Sequence, residues 1–369
     1  MFKILLTLTT LIGFLISASS HTCKVCHPTI YREYSSSIHA NSSIYNDKIF
    51  NAVWNRHPLK KEGKFKCAKC HTPNDKALIA GKSKLQPNSI QKTEPISCQN
   101  CHQIKDIHKG KFTNENIYLK KEKYFYSADP KKKGQKIIFK ERSSFFGLLK
   151  STTGSPYHDI DYSNENYYNG NSCLGCHSHK KIKNGFEVCS LEVKRKKSYK
   201  QNCISCHMPK TIGSFVNLKD SITHSSHAVS LRDDNYKQLA KYIDLNITKS
   251  NKSAKIIIKN QANHALFVHP LRLGQLKVAI NGKVVKTINF HRVIGKDGKA
   301  TMPWLANSVI KDTTIKAFEK KTFEFPINKD DKVEATLGYY LANPKAAKKL
   351  GIEDKKLLEF KVLKSIKRE

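Results

Sequence analysis

The stretch Ile96-Ser97-Cys98-Gln99-Asn100-Cys101-His102 contains the pattern on which the fold turns: two cysteines three residues apart, with a histidine directly after the second. The same C-x-x-C-H pattern stands at Cys23/Cys26/His27, Cys67/Cys70/His71, Cys173/Cys176/His177 and Cys203/Cys206/His207, so ten of the eleven cysteines fall within it. The spacing has a chemical reason. Two thiols three residues apart each add to one vinyl group of a haem, and the next residue then lies beneath the iron as its proximal ligand. Zinc is the rival reading, because C-x-x-C pairs also build tetrahedral thiolate sites. Neither zinc nor disulfide pairing accounts for a histidine after every second cysteine. The motifs therefore predict haem c, five per chain, held by His27, His71, His102, His177 and His207. Cys189, in Glu187-Val188-Cys189-Ser190, has no partner in the pattern and reads as a small buried residue.

The opposite face of each iron decides whether a haem only passes electrons or also binds a small molecule. Eleven histidines lie outside the motifs, more than enough for five distal ligands, whereas methionine is nearly absent, with Met1, Met208 and Met302 alone. Bis-histidine ligation and low potentials are the expectation, since methionine ligation raises the potential. His39 ends a helical-looking segment from Tyr31. His57, His108 and His158 lie between motifs, and His224 and His227 follow the last one; these six are the candidate distal ligands. His21, His179 and His291 read as ordinary, and His264 and His269 fall in a different kind of sequence.

Lys3, an apolar run from Ile4 to Ile16 and the small residues Ser17 to Ser20 predict a secretory signal peptide over 1–20, cleaved near Ser20. The run is shorter than the roughly 20 residues that cross a bilayer as a helix, so the expected compartment is the periplasm. The formal net charge is +36, from 66 Lys and Arg against 30 Asp and Glu. Haem propionates would offset part of it. A lysine-rich solvated surface is the plain explanation. The functional one is an acidic redox protein, a membrane-associated cytochrome or reductase, or peripheral contact with an anionic membrane. Export and the lack of any nucleic-acid-binding signature argue against DNA or RNA.

From 21 to 235 the chain is rich in Lys, Asn, Ser and Tyr, with few apolar periodicities, and cannot bury a conventional core. The haems must be its core, wrapped by short helices and irregular segments. Helices are expected from near Pro28 and Asp47, and a small hairpin or lid from the Ile117-Tyr118 and Ile137-Ile138-Phe139 clusters. A linker is predicted over 236–250. Past it, alternating and β-branched runs at 254–259, 276–280, 283–290, 321–327 and 333–341, with turn signals Asn281-Gly282 and Asp297-Gly298, predict a small antiparallel β-sandwich over 251–369, with a short helix near Pro344–Leu350 and a last strand near 358–363. The fold class is thus multi-domain α+β.

Three stretches carry a resemblance: Cys23–His39 with Tyr31 and Ser37-Ile38-His39; Ile96–Gly110 with Cys98, His102 and His108; and Cys203–His227 with Cys206-His207-Met208-Pro209, His224 and His227. In these the chain resembles periplasmic multihaem cytochromes of the cytochrome c-554 type, related to the pentahaem nitrite reductases and octahaem hydroxylamine oxidoreductases. The resemblance implies His39, His224 and His227 as distal ligands, and the C-terminal segment is similar to the β domain appended to some multihaem cytochromes. Two departures matter. Cytochrome c-554 has four haems against five motifs here, so ligand pairing does not carry over, and no C-x-x-C-K of the nitrite reductase kind occurs. Two functions remain in view: an electron carrier, which needs no catalytic residue, and an oxidoreductase acting on a small nitrogen or sulfur compound at one five-coordinate haem.

Overall fold

The computed structural model describes residues 20–120, 123–144, 149–195, 197–214, 216, 222–229 and 234–369. The expected signal segment lies outside these except for Ser20. Over the N-terminal two-thirds the secondary structure comes in short pieces. Helices run over Ser20–Cys26, Pro28–Ser36, Lys48–Trp54, Ala68–His71, Cys98–His102 and Cys203–His207, with two-stranded ribbons such as Ile104–His108 with Glu115–Tyr118 and Lys210–Ile212 with Thr223–Ser225. Pro28 at the first helical position and the Asp47 carboxylate, which accepts from the backbone N–H groups of Ile49 and Phe50, start the second and third helices where the sequence placed them. Ile117-Tyr118 pairs with Ile104–His108, while Lys136–Ile137 pairs with Asp159–Asp161, so the two apolar clusters belong to different sheets and do not form one hairpin. Apolar clusters here are small: Ile44, Trp54, Phe65, Ala68 and Leu78 form one, and Ile104, Tyr126 and Tyr167 another.

The C-terminal third is a sandwich of two antiparallel sheets. Its strands are β1 (Ile243–Lys249), β2 (Ser253–Asn260), β3 (Leu273–Ile280), β4 (Lys283–Phe290), β5 (Lys320–Pro326), β6 (Val333–Tyr340) and β7 (Lys361–Arg368). One sheet has the order β1-β2-β5 and the other β4-β3-β6-β7. Burial alternates along the strands, so Leu245 and Ile247, Ile256 and Ile258, Leu276 and Val278, and Ala335 and Leu337 fill the space between the sheets. The β3–β4 turn has positive φ at both Asn281 (52°) and Gly282 (80°), the backbone that a two-residue hairpin of matching twist requires. Pro344–Leu350 is capped by the Asn343 side chain and ends at left-handed Gly351.

The stretch 236–250, expected as a linker, is structured. Residues Asp234–Tyr242 form a 3₁₀ run, and Ile243, Leu245 and Ile247 point inward from β1, so the sandwich starts at Ile243 and not at 251. Those apolar residues alternate with Asp244, Asn246 and Thr248, which gives the stretch a polar average that conceals a strand. Leu276, between Ile288 and Leu337 and fully buried, tests the sandwich core. Leu276→Ala should destabilise this domain by about 2–5 kcal/mol, read as a lower midpoint in denaturant unfolding followed by circular dichroism.

Candidate haem sites

Each attachment motif closes on a helical turn. The amides of His27, His71 and His177 bond the carbonyls of Cys23, Cys67 and Cys173 at 2.8, 3.0 and 2.9 Å. The third and fifth motifs are helices opened by capping boxes, in which Ser97 pairs with Asn100 and Asn202 with Ser205. Residues i, i+3 and i+4 of one turn share a face, so both thiols and the imidazole of a motif present to the same side.

Four motif histidines have a second imidazole opposite them. His27 faces His158, His39 faces His177 and His102 faces His227, each with ring centroids 6.0 Å apart, and His207 faces His264 at 6.2 Å. A metal–nitrogen bond of about 2 Å plus roughly 1 Å from nitrogen to ring centre separates two axial imidazoles by about 6 Å. These residues therefore fit a haem iron between each pair. Burial disfavours the charged form of three of these rings: His39 and His207 are lowered to about 4 and His227 to about 3.

His71 differs. Its ring stacks on Phe50 with centroids 4.1 Å apart, its Nδ1 lies 3.1 Å from the carbonyl of Ser42, and among the described residues it has no imidazole opposite.

Of the six histidines expected as distal partners, the structure brings His39, His158 and His227 beside motif histidines and places the other three elsewhere. His57 lies between Trp54 and Trp304, at 5.6 and 4.7 Å, and its Nδ1 accepts from the Leu59 N–H. His108 is exposed at the end of a strand. His224 is buried, with Nε2 3.0 Å from Glu33 Oε1 and Nδ1 2.9 Å from the Gly213 carbonyl, so both nitrogens are taken by protein acceptors. Glu33 also accepts from the His227 amide at 2.9 Å. His224 and Glu33 thus form a clamp that fixes the segment carrying His227. His264 is the partner that sequence reasoning missed, and Asn263-His264 gave no local signal to find it. Cys189 is half-buried in a short strand beside Arg292.

The motifs are contiguous. Cys23 meets Cys98, Cys70 meets Cys176 and Cys173 meets Cys203 through their sulfurs, and Cys101 lies close enough to bear on Cys173 and Cys176. Gly170 makes one of these junctions: a Cβ there would sit 2.9 Å from the backbone nitrogen of Cys203.

Five attachment turns and four imidazole pairs on this scaffold define a multihaem c-type cytochrome with an appended β domain. Residues 22–103, spanning the first three motifs, match the family model described as cytochrome c554 and c-prime. The crystal structure of a penta-heme cytochrome c552 from Thermochromatium tepidum matches with a TM-score of 0.71 and 20% identity, covering 95% of this chain and 98% of that one, which establishes a shared fold. No curated protein matches the chain.

Removing one partner of a buried hydrogen bond leaves the other unsatisfied. Glu33→Ala, which strips the acceptor from His224 and from the His227 amide, should cost about 1–3 kcal/mol, and the double variant Glu33→Leu with His224→Leu should recover much of it, as a double-mutant cycle in thermal unfolding would read.

Proposed function

We propose that this chain is an exported pentahaem cytochrome that moves electrons between redox partners outside the cytoplasm. One observation carries the reading: four imidazole pairs, 6.0–6.2 Å apart, each join a motif histidine to a histidine distant in sequence. His27 with His158, His39 with His177, His102 with His227 and His207 with His264 would hold the irons of four haems, and His71 would hold that of the fifth. Bound haem supplies a one-electron iron couple, at lower potential with two histidines than with methionine.

The chain's own work is threefold. It disfavours the charged form of buried imidazoles such as His39, His207 and His227, so that a lone pair is available at neutral pH. It fixes their positions through groups such as the Ser42 and Tyr126 carbonyls, which lie 3.1 and 2.8 Å from Nδ1 of His71 and His102. It keeps the motifs contiguous, which favours transfer through the whole set over five separate centres. Low potentials suit an anaerobic respiratory chain. The net charge of +36 suits an acidic or membrane-associated cytochrome or reductase as partner. The leader over 1–20 directs the chain to the periplasm, and among the described residues no helix is long and apolar enough to cross a membrane.

His71 favours a second reading. Among the described residues no imidazole lies opposite it, so a haem held by the second motif would offer an open position at which a small nitrogen or sulfur compound would be reduced or oxidised. Haem quantitation should give five per chain; fewer would sink the pentahaem reading. Electron paramagnetic resonance of the oxidised holoprotein, integrated against total haem, should give four low-spin haems and one high-spin. Five low-spin haems would remove the second reading. His264→Ala should convert one more haem to high spin, whereas His57→Ala should leave the ratio unchanged.

A further inference from the structure

The leader can be removed at two junctions that satisfy the small-residue rule equally. With Ser17 and Ser19 at the third and first positions before the cut, Ser20 becomes the first residue; with Ala18 and Ser20 there, His21 does. The packing of Ser20 separates the two. Ser20 is only 2% exposed and starts the helix that carries the first attachment motif. Its hydroxyl oxygen accepts from the amide of Cys98 at 3.0 Å, at the start of the third motif, and its own nitrogen donates to Glu94 Oε1 at 2.5 Å. Glu94 is half-buried. Among the described residues it makes no ion pair with any Lys or Arg, in a chain holding 66 of them.

We propose that the leader is cut between Ser19 and Ser20, and that the new amino terminus of Ser20 closes on Glu94 and pins the first motif to the third. Hydrolysis consumes one water and leaves a carboxylate on Ser19 and an ammonium on Ser20. A cut one residue later would remove the acceptor of the Cys98 amide and the donor to Glu94, leaving two enclosed polar groups unpaired where the first and third motifs meet. The cut at Ser20 converts a neutral amide donor into a charge-assisted one at the same place.

The inference rests on the export reading, and one measurement separates the two. Intact mass and N-terminal sequencing of the holoprotein purified from a host that exports and matures c-type cytochromes should give a chain beginning at Ser20. A chain beginning at His21, or one carrying haem and retaining the leader, overturns the proposal and leaves export intact; a chain retaining the leader without haem overturns both. The ion pair has its own readout. An opposite charge that raises an amino terminus by about one pKa unit leaves roughly tenfold less free amine at neutral pH. Labelling of the α-amine near pH 7 should therefore be roughly tenfold slower in the wild-type protein than in Glu94→Gln. Equal rates would overturn the pairing.

Discussion

Everything in this protein depends on one helical turn used five times. A cysteine, a second cysteine three residues on and a histidine immediately after it fall on one face when the turn is closed by the bond from the histidine amide to the first cysteine carbonyl, as at His27, His71 and His177. That geometry settles one side of each haem site within five residues. It leaves the other side to be supplied from elsewhere, because a single turn cannot reach round a macrocycle. The rest of the N-terminal two-thirds answers that need: short helices, ribbons two strands wide and apolar clusters too small to hold a domain together are what a chain can be when its interior is occupied by cofactors.

The sandwich has the opposite economy. Two sheets enclose a continuous apolar core, with Ile256, Ile258, Leu276, Val278 and Leu337 fully buried, and they need no cofactor to hold their shape. That independence makes the domain useful to its neighbour, because a rigid scaffold positions a loop better than an irregular chain does. The loop after β2 presents His264 to His207 and is tied down by Asn260, whose side-chain amide donates to the His264 carbonyl at 2.9 Å, and by the Asn263 carbonyl, which accepts from the Lys194 amide at 2.7 Å. Other ties run the same way. Arg292 donates to the carbonyls of Glu187 and Val188, Trp304 packs on His57, and Ile49 enters the sandwich core. The β domain is therefore part of the wall of the site around His207.

What could be read from the sequence follows this division. The motifs are local, so the five C-x-x-C-H turns were visible; so were the strands, whose alternation is also local, and the Asn281-Gly282 turn. Distal pairing is not local. His207 and His264 are brought together across two domains, and nothing in Asn263-His264 separates it from His108, which ends up exposed on a strand. The setting of His224 is non-local for a related reason: its Nε2 lies beside Glu33, far away in the chain. The strand at Ile243–Lys249 was hidden by its polar alternate residues, and their inward neighbours became legible only once β2 lay beside them.

The second motif shows how a site can differ without any difference in its own residues. Cys67-Ala68-Lys69-Cys70-His71 conforms to the pattern as fully as the other four, and histidine supply is not limiting, since His57 lies close by in sequence. His57 lies instead against Trp54 and Trp304, and its Nδ1 accepts from the Leu59 amide. Phe50 meanwhile stacks on His71. The aromatic residues that flank His57 are spread across both domains, with Trp54 in a helix of the first and Trp304 in a turn of the second. The surroundings of His57 are thus shaped in part by the docking of the sandwich, the same contact surface that brings His264 beside His207 of the fifth motif.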